Sequence, residues 1–312
     1  MHAERALECE HGGMLSLPPL DSPVRRIGAR SFDFSREVAV MGIVNRTPDS
    51  FYDQGRTFGL DAAVSAALAA VAAGAAIVDI GGVPFAPGDP LPPQEEAERV
   101  VPVIEAVRAA SDVVISVDTF HAEVARRSIA AGADIINDTT GLSDPNMVGV
   151  VADSEASLIV THSLATPRTQ YPRPHYDDVV VEVVEFLRDR VERAVDGGLA
   201  AERIIIDPGP DLNKNTLHTL EIVRRFDEIA ALGLPVLAAL SNKDFIGETL
   251  DAPKSERLEG SLAAAVTSVL QGARIVRVHE AGPTVAAVRM AEAILGIREP
   301  AYLKHNRGEF NE

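Results

Sequence analysis

Asn45, Asp79, Asp118, Asn137 with Asp138, His162, Asp207, Ser241 with Lys243, and Arg277 with His279 share one feature. Each stands at or just beyond the end of a short apolar run. Taken singly, an Asp in such a place is more often a helix cap or a turn residue. A lone His is more often a satisfied structural group. Eight runs that all end this way are harder to dismiss, because burying so many polar groups without a ligand or water is costly. The signs are also segregated. Carboxylates and an amide (Asp79, Asp118, Asn137, Asp138, Asp207) suit a planar heterocycle rich in amine and N–H donors. Lys243, Arg277 and His279 come last in the chain and suit an anion such as a phosphate. Asn45 offers a single oxygen for a Mg²⁺ held mainly by phosphate oxygens. No HExxH and no cysteine cluster is present, so zinc spacing is absent.

The runs that would position these groups are 38–44, 76–80, 113–117, 134–136, 157–161, 203–206, 234–239 and 274–278. Each precedes an Ala-rich or amphipathic segment, over 60–73, 94–110, 121–131, 145–154, 178–196, 215–231, 256–271 and 283–296. Gly74, Gly132, Gly197-Gly198, Gly233 and Gly272 punctuate the helix-to-strand joints. Eight such pairs predict an α/β fold of the (β/α)₈ TIM-barrel type in a single domain, with the polar strand ends gathered at one mouth. A doubly wound sheet competes. It would want a Gly-rich turn after the first strand, where this chain has NRTPDSF. The barrel is expected over 31–298, with tails at 1–30 and 299–312. Three long loops, 45–59, 81–93 and 162–177, follow strands and so fall at the same mouth. Long loops there are often lids.

The 312 residues are 46% hydrophobic and 24% charged, ordinary for a globular protein. No apolar run reaches the ~18 residues of a membrane span. The charged N-terminus lacks a secretory apolar core, and the expectation is a cytoplasmic protein. Cys9 is the one cysteine, so no intrachain disulfide forms. The net charge of −17 argues against a general nucleic-acid binder but not against a small anion met by local cations.

Seven segments, RSFDFSREVAVMGIVNRTPDSF, IVDIGG, ISVDTF, IINDTTG, IIDPG, SNKDFIG and VRVHE, together resemble dihydropteroate synthase, in order, from about Arg30 to Ile297. The resemblance implies a (β/α)₈ barrel, a homodimer, Mg²⁺, and condensation of a pterin diphosphate with p-aminobenzoate in folate synthesis. It implies that Asp118, Asn137, Asp207 and Lys243 hold the pterin ring. Asp79 would lie beneath it, and Asp79, Asp118 and Lys243 would carry the chemistry. Asn45, Arg277 and His279 would bind the diphosphate, with the metal at Asn45. The chain departs from the family's GGESTRPG, which here reads GGVPFAPG (81–88). The family's DPGFGFGKN reads DPGPDLNKN, placing Leu212 where a phenylalanine packs on p-aminobenzoate. Ser241-Asn242 replaces a serine–arginine pair, and Arg46 enters the first loop. This pattern resembles the divergent second actinobacterial copy. It implies either a synthase with a remodelled p-aminobenzoate end or a pterin-binding paralogue with little or no synthase activity. Arg46 is expected to replace, against the diphosphate, the cation lost at Ala86.

Overall fold

The computed structural model describes residues 17–46, 59–85, 87–165, 167–171 and 173–305. Most of the first mouth loop (47–58) and the outer parts of both expected tails lie outside the described residues. Eight parallel strands close into a barrel: β3 (Ala39–Asn45), β4 (Ile77–Gly81), β5 (Val114–Asp118), β6 (Ile135–Asp138), β7 (Ser157–Thr161), β8 (Ile204–Asp207), β9 (Val236–Ala238) and β10 (Ala273–Val278). β10 returns to pair with β3, Arg277 opposite Met41. Closure leaves no sheet edge and brings the last strand beside the first.

The strands obey their period of two. Ala39, Met41, Ile77, Val114, Ile135, Ile159, Ile205, Leu237 and Ile275 form an inner cluster to which every barrel strand contributes. Their neighbours, such as Val40, Val78, Ile115, Ile136, Leu158, Ile206 and Val276, join the larger outer cluster with the helices. Counting in twos from the inner set assigns each strand-end residue to the inside or the outside.

Helices cover the outside. α1 is Leu60–Ala72, α2 Pro93–Ala110, α3 Ala122–Ala130, α4 Met147–Ala152 and α5 Val179–Asp196. α6 is Thr216–Arg224, α7 Phe226–Ala230, α8 Asp244–Leu250, α9 Leu258–Leu270 and α10 Ala281–Ile294. α5 starts where the Asp178 carboxylate accepts from the Val180 and Val181 N–H groups, as an N-cap should. The helix expected over 215–231 is interrupted: Arg225, at the joint of α6 and α7, has left helical geometry. α8 was not among the expected helices. α2 opens with Pro93 and carries Pro102 in its interior. A proline there supplies no N–H to the carbonyl four residues back, that of Glu98.

The tail expected over 1–30 is shorter than that reading, because its later part is folded. β1 (Val24–Ile27) and β2 (Arg30–Asp33) form an antiparallel hairpin turned at Gly28, which has φ +57°. A Cβ at Gly28 would sit 2.3 Å from an Asp134 carboxylate oxygen, so the turn's close approach requires glycine. Ile27, Phe32 and Phe34 are buried among the inner residues of the barrel, with the two phenylalanines stacked at 5.4 Å. The hairpin therefore plugs the end of the barrel opposite the mouth. Arg25 is buried beside it and donates to the carbonyls of Ser22 (2.6 Å) and Ala201 (2.9 Å). Residues 299–305 are exposed and carry neither helix nor strand.

Truncating Phe32, which has no exposed surface, to alanine should cost about 3–5 kcal/mol of stability through a cavity at the barrel end. Urea unfolding should show a lower midpoint at an unchanged slope.

Candidate functional site

The alternation decides which strand ends meet. Asn45, Asp79, Asp118, Asn137 and Asp207 stand an even number of residues from the inner residues of their strands, as do Arg277 and His279 on and beyond β10. Arg46, Asp138 and His162 stand an odd number away and face outward. The structure thus converts a ring of strand-end groups into a smaller inward set.

At its centre is an ion triad. Arg277 donates from Nε to Asp79 (2.6 Å) and from Nη2 to Asp118 (3.2 Å). Asp79 is fully buried and also accepts from Ser116 Oγ (2.6 Å) and Asn137 Nδ2 (3.3 Å). Burial, opposed by Arg277 and reinforced by Asp79, Glu96 and Asp138, pushes the Asp118 carboxyl up to about 7. Burial also works against the charge of Arg277, but Asp79 and Asp118 outweigh it and hold the guanidinium above its ordinary range. Burial raises Asp207 as well, opposed by Lys243 and by the Gly209 N–H, which donates to the carboxylate at 2.7 Å. Gly209, at φ +61°, has no room for a side chain: a Cβ would fall 2.1 Å from the His162 carbonyl oxygen. Lys243 donates to the Pro210 carbonyl, and burial lowers its pKa.

A cleft of about 170 Å³ opens above these groups. Its floor is Asp118, Asn137, Thr139, Asp207, Lys243 and Arg277. Val83, Phe85, Phe120, Pro167 and Leu212 form its rim, with Ala239 between them. Asn137 Oδ1 is buried without a hydrogen-bond partner among the described residues. That leaves an unused acceptor in a site whose other carboxylates are already partly engaged. Asn45 and Asp118 flank Gly81 at one level of β3, β4 and β5; a Cβ on Gly81 would reach within 3.6 Å of Asn45 Oδ1 and of Asp118 Cβ. On the neighbouring arc His279 pairs its Nδ1 with Ser241 Oγ at 3.0 Å, tying the end of β9 to the end of β10. Among the described residues, no three His, Cys, Asp or Glu side chains converge as a preformed metal site. The amide oxygen of Asn45, at the level of Gly81 and Asp118, is the donor type that a Mg²⁺ arriving with phosphate oxygens of its own would accept.

Three expected site residues lie elsewhere. Arg46 points outward and donates to the carbonyls of Glu98 (3.4 Å) and Arg99 on α2. The Glu98 carbonyl is the one that Pro102 leaves without a helical partner, so Arg46 repairs the helix. This orientation does not support the expected contact with a diphosphate. Asp138 accepts from the Thr140 N–H and hydroxyl behind β6, and burial raises its pKa to about 6. His162 packs on Phe186 and Tyr176 outside the barrel.

The partner of His162 lies in the DPGPDLNKN segment but was not singled out there. Lys214 Nζ meets His162 Nδ1 (2.8 Å) and donates to the carbonyls of Gly209 (2.9 Å) and Leu212 (3.0 Å). The lysine is 7% exposed and makes no direct pair with a carboxylate. Burial lowers it to about 7, and burial with the nearby Lys214 lowers His162 to about 2. Lys214 therefore pins the loop carrying Leu212 to the end of β7. Ser116 was missed too, although it stands two residues before Asp118 and so faces the same way.

A (β/α)₈ barrel whose mouth gathers three carboxylates, an amide, a lysine and an arginine around one cleft defines a binder of a small polar ring. The family described as pterin binding enzyme matches residues 41–279. A Mycobacterium leprae (strain TN) protein named inactive dihydropteroate synthase 2 is 46% identical over 267 residues, which cover 84% of this chain and 92% of the relative. Dihydropteroate synthase of Escherichia coli (strain K12) is 41% identical over 261 residues, 83% and 93% of the two chains. The structure of Xanthomonas albilineans dihydropteroate synthase with 4-aminobenzoic acid is similar at a TM-score of 0.81 and 39% identity, covering 87% of this chain and 98% of that one. The chain belongs to the pterin-binding enzyme family and is a homologue of dihydropteroate synthase.

Lys214 has a folded pKa near 7 and an unfolded one near 10.4. Between those values the unfolded chain carries the extra proton, so stability should rise with pH from about 7 to 10, by up to ~1.4 kcal/mol per unit. Lys214→Met should remove that part of the slope. Urea midpoints measured across the range for both proteins check it.

Proposed function

We propose that this protein binds the ring of a pterin diphosphate on the cleft floor, and that it condenses the ligand with p-aminobenzoate slowly or not at all. The observation that carries the reading is the convergence of Asp118, Asn137, Asp207, Lys243 and Arg277 in one cleft, with Asn137 Oδ1 unused. A pterin presents amine and N–H donors beside carbonyl and ring-nitrogen acceptors. Carboxylates, an amide and a lysine match that edge pattern. In this reading Asn45 and His279 face the diphosphate with Arg277, whose Nη1 takes no part in either carboxylate pair. A Mg²⁺ at Asn45 would supply charge neutralisation of the diphosphate when bound.

The chain's own residues favour the departure of an anion more than the arrival of a nucleophile. Asp79 and Asp118 sit where they would stabilise positive charge on a ring methylene as diphosphate leaves, and Lys243 would hold the ring against Asp207. An incoming arylamine is a poor base and depends on positioning. The rim offers it Val83, Phe85, Pro167 and Leu212, with no cation among the described rim residues to orient a carboxylate. The similarity to a relative named inactive supports the same conclusion.

A homodimer is part of the proposal. Met290 and Ile294, one turn apart on α10, are each more than half exposed, an apolar face suited to a second copy. A cytoplasmic location is part of the proposal. Among the described residues no helix is long and apolar enough to cross a membrane.

Calorimetry with 6-hydroxymethyl-7,8-dihydropterin diphosphate should show binding that strengthens when Mg²⁺ is present, while Mg²⁺ alone gives no heat. Asn137→Ala should weaken the ligand by about 1–3 kcal/mol. Adding p-aminobenzoate should release no dihydropteroate beyond a no-enzyme control. Ready turnover would overturn the proposed loss of synthase activity, and absence of any pterin binding would overturn the whole reading.

A further inference from the structure

The polarity of the cleft changes with height. Its polar liners sit on strands or close to their ends: Asp118, Asn137, Asp207 and Arg277 on the strands, Thr139 one residue past β6, Lys243 in the loop after β9. Its rim is built from four separate loops: Val83 and Phe85 after β4, Phe120 after β5, Pro167 after β7, and Leu212 after β8. Every rim residue among the described residues is apolar.

The rim is also tied together. The Arg168 N–H donates to the Phe85 carbonyl and the Gly88 N–H donates to the Arg168 carbonyl, both at 3.1 Å. Arg168 Nε reaches over to the Asp89 carbonyl at 3.0 Å. A Cβ at Gly88 would stand 1.9 Å from Arg168 Nη2, so a side chain there would displace the guanidinium that packs over it. These bonds hold Phe85 and Pro167 as one wall. Lys214 holds the facing wall by its bond to the Leu212 carbonyl.

The nearby cations are directed elsewhere. Arg46 turns to α2, Arg168 to the Asp89 carbonyl, Arg277 to Asp79 and Asp118, and Lys243 to the Pro210 carbonyl. A carboxylate at the rim would lose its hydration against Phe85, Pro167 and Leu212, with Asp118 and Asp207 below it. A neutral ring there would instead exchange water for five apolar side chains.

We infer that the rim is a specificity filter on any arm of the pterin 6-position that is directed to it rather than to the arc of Asn45 and His279: it accepts a neutral apolar or aromatic arm and disfavours one ending in a carboxylate. This rests on the proposed pterin floor and adds the class of group that the rim, as distinct from the diphosphate arc, takes.

Three ligands sharing one ring separate the two ideas: 6-methylpterin, 6-anilinomethylpterin, and pteroate, which is the second compound with a para-carboxylate. By calorimetry on the full chain, 6-anilinomethylpterin should bind roughly tenfold or more tighter than pteroate, and tighter than 6-methylpterin. Phe85→Ala should erase most of the gain over 6-methylpterin, weakening 6-anilinomethylpterin far more than 6-methylpterin. Leu212→Arg, which places a cation at the rim, should reverse the preference toward pteroate. If pteroate binds wild-type protein as well as or better than 6-anilinomethylpterin, the filter is refuted while the floor reading stands on the binding of 6-methylpterin. If none of the three binds, the floor reading and the filter fall together.

Discussion

One guanidinium makes the mouth of this barrel possible. Asp79, Asp118 and Asp207 are gathered in a water-poor space where each alone would be expensive to bury. Arg277, arriving on the last strand, bonds the first two directly and moderates the third. Its position follows from closure: β10 must pair with β3 for the sheet to have no edge, and that pairing sets Arg277 level with Met41, across the mouth from β5. The site and the closure of the fold are therefore the same event. An open sheet would leave the carboxylates of β4 and β5 without their counter-ion.

The identity of the barrel was legible because it is written in repeats, an apolar run with a polar end followed by a helix. Asp79, Asp118, Asn137, Asp207 and Arg277 could be taken from those ends and do come together. What separated them from Arg46, Asp138 and His162 was parity along the strand, which the apolar runs do not display. A strand buried on both faces has no alternation of polarity to count from. The plug hairpin was hidden for a related reason. In Val24–Ile27 the buried positions are Arg25 and Ile27, and the flanking prolines and Gly28 read as a tail. A buried arginine satisfied by distant carbonyls cannot be inferred from local pattern. Of the rim, Leu212 and the 81–88 loop were marked by their departure from the family's motifs, whereas Phe120 and Pro167 join them only through tertiary structure.

Substitutions that stand out against the family find different explanations once placed. Leu212, and Val83 and Phe85 in the second loop, line the cleft and alter what it can hold. Arg46 does not: it completes the hydrogen bonding of a helix that carries an internal proline. Asn242 is nearly buried with φ +57°, and both atoms of its side-chain amide lack partners among the described residues; nothing in the structure explains it.

The plug has a consequence for how the chain comes to be folded. Ile27, Phe32 and Phe34 leave the ribosome before any strand of the barrel. Yet the surface they pack on includes Leu237 and Ile275, more than two hundred residues later. The hairpin cannot find its full site until the final strand has been made. Through synthesis its aromatic side chains must wait without their partners, a period in which a chaperone has the most to shield. The end of the barrel away from the mouth thus records the last step of assembly in residues made before any barrel strand.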